Sequence, residues 1–177
     1  MKKGFSLKRL TTDAVLAAVA LIIFILESKI PNLAPVPGMK LGLANIVTVY
    51  AMFALVPLDT LAILLVRIIL GSVFAGSVTS FFFSLAGGLL CYLVELFLRK
   101  ILTRKQIFVA GILGAVAHNV GQMLVAVIAF RSVSVLVYLP FLMVSAVITG
   151  TLTGFTAQFL LPLLEKARMS IGKDGGS

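Results

Sequence analysis

The chain has 177 residues, of which 60% are hydrophobic and only 12% are charged, and its mean hydropathy is +1.17. A soluble domain has about half apolar and about a quarter charged residues, so lipid must cover most of the outer surface of this chain. The formal charge of +9 does not indicate nucleic-acid binding, because the basic residues flank apolar runs and form no patch for phosphates.

The apolar runs predict an all-α integral membrane protein with six transmembrane helices and no separate soluble domain. In chain order we expect these helices at about residues 10–28, 41–56, 58–71, 79–98, 107–130 and 135–164. Pro31, Pro35 and Pro37 interrupt an outer connector at residues 29–40, and Pro57 ends the second helix. A Gly/Ser-rich turn is expected at residues 71–77 and a disordered tail at residues 173–177.

Basic residues predict the orientation of these helices. Eleven of the fifteen Lys and Arg residues lie in three clusters, namely Lys2, Lys3, Lys8 and Arg9, then Arg99, Lys100, Arg104 and Lys105, then Lys166, Arg168 and Lys173. Six spans that start inside place all three clusters on the inner side, as the positive-inside rule requires. We therefore expect both termini in the cytoplasm.

The sequence argues against catalysis. It contains no P-loop, and no two of its six acidic residues lie within four positions of each other, although magnesium-dependent diphosphate chemistry usually needs clustered carboxylates. One His and the single Cys91 cannot form a zinc site, and Cys91 lies in an apolar run as expected for a packing residue. We expect no enzyme, no catalytic residue, no metal site and no cofactor.

Polar residues at membrane depth are the unusual feature of the chain. Arg67 lies in the middle of the third span, where a charge costs about 2.5–3.5 kcal/mol on insertion scales, so it must face protein or water. His118 and Gln122 are four positions apart on one face of the fifth span, with Asn119 beside them.

Helix direction places further polar groups at a similar level. Glu27, Lys40 and Asn45 are expected in the outer third of the membrane. We hypothesise that these polar groups converge on a cavity that opens outward. Three alternatives stay open: a pairing of Arg67 with Glu27 or a helix-end carbonyl, interhelical hydrogen bonds from His118 and Asn119, and a pairing of Glu95 with Arg99 at i+4.

Small residues at a spacing of four form a second pattern. Ala14 and Ala18, extended by Ala17, lie on the first span, and Gly150 and Gly154 lie on the last. Such pairs let helix backbones approach closely, either inside the protein or against a partner.

Three segments resemble the Gx transporter family, which is often labelled heptaprenyl diphosphate synthase component I and is related to the substrate-binding S components of energy-coupling factor (ECF) transporters. The segments are Pro37-Gly38-Met39-Lys40-Leu41-Gly42-Leu43-Ala44-Asn45-Ile46, Phe83-Ser84-Leu85-Ala86-Gly87-Gly88 and Ala117-His118-Asn119-Val120-Gly121-Gln122. The resemblance implies a six-helix S-component-like protein of the bacterial cytoplasmic membrane that captures a small substrate from outside. It also implies a transmembrane T component and two cytoplasmic ATPases as partners, docking through Ala14, Ala17 and Ala18, and a lid at residues 29–40.

The expected ligand contacts are Glu27, Lys40, Asn45, Arg67, His118, Asn119 and Gln122. Lys40 and Arg67 suit an anionic group, and apolar walls suit a hydrophobic body, as in an isoprenoid or quinone precursor or a vitamin-like anion. Two other functions stay open: a noncatalytic membrane subunit associated with a prenyl diphosphate synthase, and a secondary transporter that works alone.

Overall fold

The computed structural model describes residues 7–29 and 40–174 of the chain. Its α-helices are α1 (Leu7–Lys29), α2 (Asn45–Ala54), α3 (Pro57–Ala75), α4 (Val78–Leu98), α5 (Ile107–Phe130) and α6 (Leu139–Asp174), with short 3-10 helices at Arg104–Gln106 and Val133–Tyr138. No strand occurs within these two ranges, which confirms the all-α fold.

Five of the described helices are long and apolar enough to cross a membrane, whereas α2 has only 10 residues. A helix of that length spans about 15 Å, roughly half of the hydrocarbon core of a bilayer. Large apolar side chains such as Ile22, Ile128 and Phe159 are exposed on the outside of the bundle. The chain is therefore a multi-pass membrane protein.

The short helix α2 occupies the centre of the bundle. It is in contact with each of the other five α-helices, and α4–α5 and α5–α6 form the most extensive interfaces around it. Val49, Ala51 and Met52 of α2 are at most 1% exposed because neighbouring helices cover them, whereas Tyr50 and Phe53 are half-buried. An interior helix of this kind brings its own N-terminus to the middle of the membrane protein.

Close backbone contacts hold α5 against α6. A Cβ atom on Gly111 would lie 2.5 Å from the Cα of Gly154, and one on Gly150 would lie 2.7 Å from the carbonyl oxygen of Gly111. The Gly150/Gly154 pair is thus used for internal packing, which decides between the two roles that the sequence left open for it.

Three described arginines, Arg9, Arg99 and Arg104, join elements at one end of the bundle. Arg9 at the start of α1 donates from Nε to Asp59 Oδ2 of α3 at 2.7 Å, and Arg99 donates to the carbonyl oxygen of Leu55 at 2.8 Å. Arg104 donates to Glu165 at 2.6 Å. These contacts join the start of α1, the end of α2, the α4–α5 connector and the later part of α6.

Several boundaries differ from the expected ones. The helix α2 starts at Asn45, because residues 40–44 are non-helical. Gly71 and Ser72 belong to α3 and not to the expected turn: a Cβ on Gly71 would lie 2.7 Å from the ring of Phe24, and Ser72 bonds back to the Ile69 carbonyl oxygen. The turn follows at Gly76, whose φ is +59°.

Two expected segments fall largely outside the described part of the chain. The lid-like connector at residues 29–40 is described only at its two ends, Lys29 and Lys40. Of the expected disordered tail, residues 173 and 174 are the end of α6, and residues 175–177 lie outside the described ranges.

Candidate functional site

The approach segment, residues 40–44, leads into α2 and is the backbone around which the site is built. Gly42 has a φ of +83°, which L side chains rarely adopt. A Cβ there would also lie 2.9 Å from Asn45 Nδ2 and 3.2 Å from a ring carbon of His118. Both the backbone conformation and the available space therefore require glycine at this position.

Gln122 of α5 holds the start of this segment. Its Oε1 accepts from the Lys40 backbone N–H at 2.9 Å, and its Nε2 donates to the Lys40 carbonyl oxygen at 2.9 Å. A side-chain amide that pairs with both backbone groups of one residue replaces the hydrogen bonds that a helix would have provided. Gln122 thus positions Lys40, and its amide is occupied in doing so.

Glu27 of α1 holds the middle of the approach segment. Its Oε1 accepts from the Gly42 backbone N–H at 2.6 Å, and the residue is only 6% exposed. The carboxylate also faces the N-terminal end of α2, where the helix dipole and free N–H groups favour negative charge. This arrangement explains how a carboxylate can be buried here without a direct ion pair.

Two cations lie near one aromatic ring. The Lys40 Nζ is 3.3 Å from the centroid of the Phe24 ring, and the Arg67 Cζ is 5.7 Å from the same centroid. Lys40 Nζ has no hydrogen-bond partner among the described residues. Burial lowers the pKa of the Lys40 ammonium to about 8, with Glu27 opposing this shift and Arg67 adding to it.

Arg67 makes few hydrogen bonds among the described residues for a side chain with five N–H donors. It is 3% exposed, and Nη2 reaches Asn45 Oδ1 at 3.5 Å, the upper limit of a hydrogen bond. Within the described ranges, ion pairs closer than 4 Å join Arg9 to Asp59 and Arg104 to Glu165, and none involves Arg67. The proposed brace between Arg67 and Glu27 is therefore not a direct salt bridge.

His118 and Asn119 have different surroundings. His118 lies between the approach segment and α4, where a Cβ on Gly87 would be 2.9 Å from its ring. Asn119 donates from Nδ2 to the Leu142 carbonyl oxygen of α6 at 2.7 Å, and its Oδ1 is 3.4 Å from Gln122 Nε2. Asn119 thus forms the interhelical hydrogen bond considered above, and it also supports Gln122.

The structure brings the seven expected ligand residues into one region, which we call the polar cluster: Glu27, Lys40, Asn45, Arg67, His118, Asn119 and Gln122. Asn45 Nδ2 has no hydrogen-bond partner in the described part of the chain. Sequence reasoning missed Phe24, which is 2% exposed. Its spacing of three from Glu27 is the signal that could have found it, because such residues share a helix face.

Glu95 does not form the expected pair with Arg99. Arg99 turns to the end of α2 instead, and Glu95 Oε1 accepts from the thiol of Cys91 at 3.1 Å. A free helix-end carbonyl is a strong acceptor, and Arg99 at the end of α4 reaches it more readily than it reaches the buried Glu95. Cys91 is fully buried, as a packing residue would be.

The small residues of α1 divide between two environments. Ala14 and Ala18 are exposed on the outside of the bundle, whereas Ala17 is 9% exposed and packs against a core that includes Ala51 and Ile63. A groove of about 500 Å³ runs between the first parts of α1 and α3 and is lined in part by Ala14 and Ala17. The docking role of these alanines stays a prediction.

Comparison with known proteins gives the family of the chain. Neither the curated proteins nor the solved structures include a match to it. The family described as heptaprenyl diphosphate synthase component I matches residues 16–160, which run from within α1 to within α6 and include the whole polar cluster. The chain therefore belongs to the heptaprenyl diphosphate synthase component I family.

Proposed function

We propose that the chain is the substrate-binding membrane subunit, or S component, of an ECF-type ABC transporter in the bacterial cytoplasmic membrane. It captures a small, anionic and partly hydrophobic molecule from outside, such as an isoprenoid or quinone precursor or a vitamin-like compound. The transmembrane T component and two cytoplasmic ATPases supply the energy, since the sequence contains no P-loop.

The observation that carries this proposal is the pair of cations without an ion partner. Among the described residues, Lys40 Nζ is buried without a hydrogen bond, and Arg67 is 3% exposed with one long hydrogen bond, to Asn45. Removing a charge from water without pairing it is costly, so such groups are kept where a function needs them. An anionic ligand that contacts both side chains would supply the missing partner.

The polar cluster also has the construction of a transporter site. The short helix α2 and its non-helical approach segment lie among longer spans, and non-helical backbone at membrane depth is tolerated where its polar groups are satisfied by protein or line a cavity. Here Glu27 and Gln122 satisfy the backbone of the approach segment. Lys40 and Arg67 are then left for the ligand.

Native mass spectrometry of the detergent-purified protein tests this function. The wild type is expected to retain a small anionic molecule and to travel with a T component when the transporter subunits are co-expressed. Arg67→Met should lose the small molecule, whereas Lys29→Met, which removes an exposed cation at the end of α1, should keep it. Retention of the same molecule by Arg67→Met would refute the proposal.

A second candidate follows from the family description: a noncatalytic membrane subunit associated with a prenyl diphosphate synthase. No group of three or more His, Cys, Asp or Glu side chains that could hold a metal is found in the part of the chain that the structure describes. This candidate predicts co-purification with a soluble synthase through the basic end of the bundle. It also predicts that Ala14→Trp has no effect on that association.

A further inference from the structure

The net charge of the polar cluster limits the charge of its ligand. Glu27, Lys40 and Arg67 are close enough to interact electrostatically. His118 and Cys91 also face Arg67 and are counted in the neutral forms that an imidazole and a thiol mostly have at pH 7. One negative and two positive groups then leave a surplus of one positive charge. The cluster is therefore one negative charge short of balance.

Residues 30–39, which lie outside the described ranges, do not change the net charge of the polar cluster. Residues 30–39 have the sequence Ile-Pro-Asn-Leu-Ala-Pro-Val-Pro-Gly-Met, which contains no ionisable side chain. The nearest further cation along the chain is Lys29, which is exposed at the end of α1. Whatever arrangement the connector adopts, it brings neither an acid nor a base to the cluster.

The surplus charge lies on the two cations and not on the rest of the cluster. Glu27 already accepts a hydrogen bond from Gly42 and faces the positive end of α2. Lys40 Nζ lies over the face of Phe24 and has no hydrogen-bond partner in the described part of the chain, and Arg67 has donors to spare there. A planar carboxylate matches the guanidinium fork and still leaves an oxygen for an ammonium group.

We propose that the ligand is a hydrophobic monocarboxylate, and that Glu27 is the specificity-determining residue that excludes more highly charged anions. This inference rests on the proposed function and names the ligand class of the same site. A carboxylate neutralises the cluster. A phosphate monoester or diphosphate carries more than one negative charge at neutral pH and would leave an excess of buried negative charge beside Glu27. Prenyl diphosphates, the class of compound named in the family description, are thus disfavoured as ligands.

A matched ligand series tests the proposal in the purified full-length protein. Geranic acid, geranyl diphosphate and geraniol share one apolar body and differ only in the charge of the head group. Dissociation constants are measured by calorimetry at pH 7 for the wild type, for Glu27→Gln and for Glu165→Gln, a control that removes a carboxylate at the other end of the bundle. The wild type and the control should bind geranic acid at least about ten-fold more tightly than the other two, which corresponds to about 1.4 kcal/mol.

Glu27→Gln raises the surplus to two positive charges while its amide oxygen can still accept from Gly42. It should therefore shift the preference by at least about ten-fold toward geranyl diphosphate. This comparison is made between ligands within one variant, so a lower stability of Glu27→Gln does not affect it.

Tighter binding of geranyl diphosphate than of geranic acid to the wild type would overturn the inference and leave anion capture intact. An unchanged order of preference in Glu27→Gln would overturn the role given to Glu27. Equal binding of geraniol and geranic acid would overturn both the inference and the anion site of the proposed function. If none of the three binds, the ligand class named here is wrong.

Discussion

The pair of hydrogen bonds between Gln122 and Lys40 should contribute measurably to the stability of the protein. Gln122→Met keeps a side chain of similar length and removes both partners of the Lys40 backbone. The two lost bonds are 2.9 Å long and join residues that are 82 positions apart in the sequence, so no local structure can replace them. The approach segment would then keep only its bond to Glu27 and the long contact between the Thr149 hydroxyl and the Leu41 carbonyl oxygen among the side-chain bonds of the described residues.

The expected cost follows from the number of backbone groups left without a partner. An orphaned buried donor or acceptor costs about 1–3 kcal/mol. Because Lys40 is half-buried and water can reach part of it, we take the lower half of that range for each of its two groups. Gln122→Met should therefore lower the free energy of unfolding by about 2–4 kcal/mol.

Reversible unfolding in mixed micelles with increasing SDS measures this free energy. Gln158→Met is the matched control, since Gln158 of α6 accepts one hydrogen bond from the Phe108 N–H at 3.2 Å and is half-buried. It should cost about 1 kcal/mol, the typical net value of one hydrogen bond. If Gln122→Met costs no more than Gln158→Met, the role that we assign to the Gln122 amide is wrong.

Three further predictions concern docking, pH and packing. Ala14→Trp on the exposed face of α1 should abolish co-purification with a T component in pull-down experiments while ligand binding persists, and Ala129→Trp, also exposed but on α5, should leave the association intact. Affinity for an anionic ligand, measured by calorimetry against pH, should fall as the pH rises through about 8, because the Lys40 ammonium, which faces Glu27 and Arg67, loses its proton there. Lys40→Met should remove this fall in affinity. A fall that persists in Lys40→Met would assign the titration to another group. Gly154→Leu should destabilise the protein by about 1–3 kcal/mol or more in the SDS assay, because its Cβ would lie 2.7 Å from the Phe108 Cα, whereas Thr151→Leu on an exposed part of α6 should be tolerated.

The sequence predicts the helical fold well because lipid imposes strong rules. A segment that spans the membrane must form its backbone hydrogen bonds internally and present apolar side chains to lipid. Long apolar runs such as those of α4 and α5 therefore predict helices. The same rules locate Arg67, because a charge within an apolar run needs a specific environment. Helix ends were harder to predict: Gly71 is a helix breaker by type, but here it lies inside α3 to make room for Phe24.

The candidate site was predictable as a set of residues but not as a set of roles. Spacing alone places His118 and Gln122 on one helix face. It cannot show that Gln122 binds the backbone of Lys40, or that Asn119 reaches α6, because both contacts join distant parts of the chain. The need for glycine at residue 42 could not be predicted from spacing either, because Asn45 and His118 of α5 limit the space around it.

The Glu27 carboxylate and the Gln122 amide hold the approach segment, and this bears on the roles of Lys40 and Arg67. Glu27 and Gln122 each satisfy backbone groups that would otherwise be orphaned at membrane depth, so their own polar atoms are largely occupied. A fold that needed only to stabilise the approach segment before α2 would require no further polar side chains. Lys40 and Arg67 add charge without adding such bonds, and the aromatic face of Phe24 lies close to both. Because a buried cation without an anion is a cost to folding, Lys40 and Arg67 are the side chains on which the proposed anion site depends.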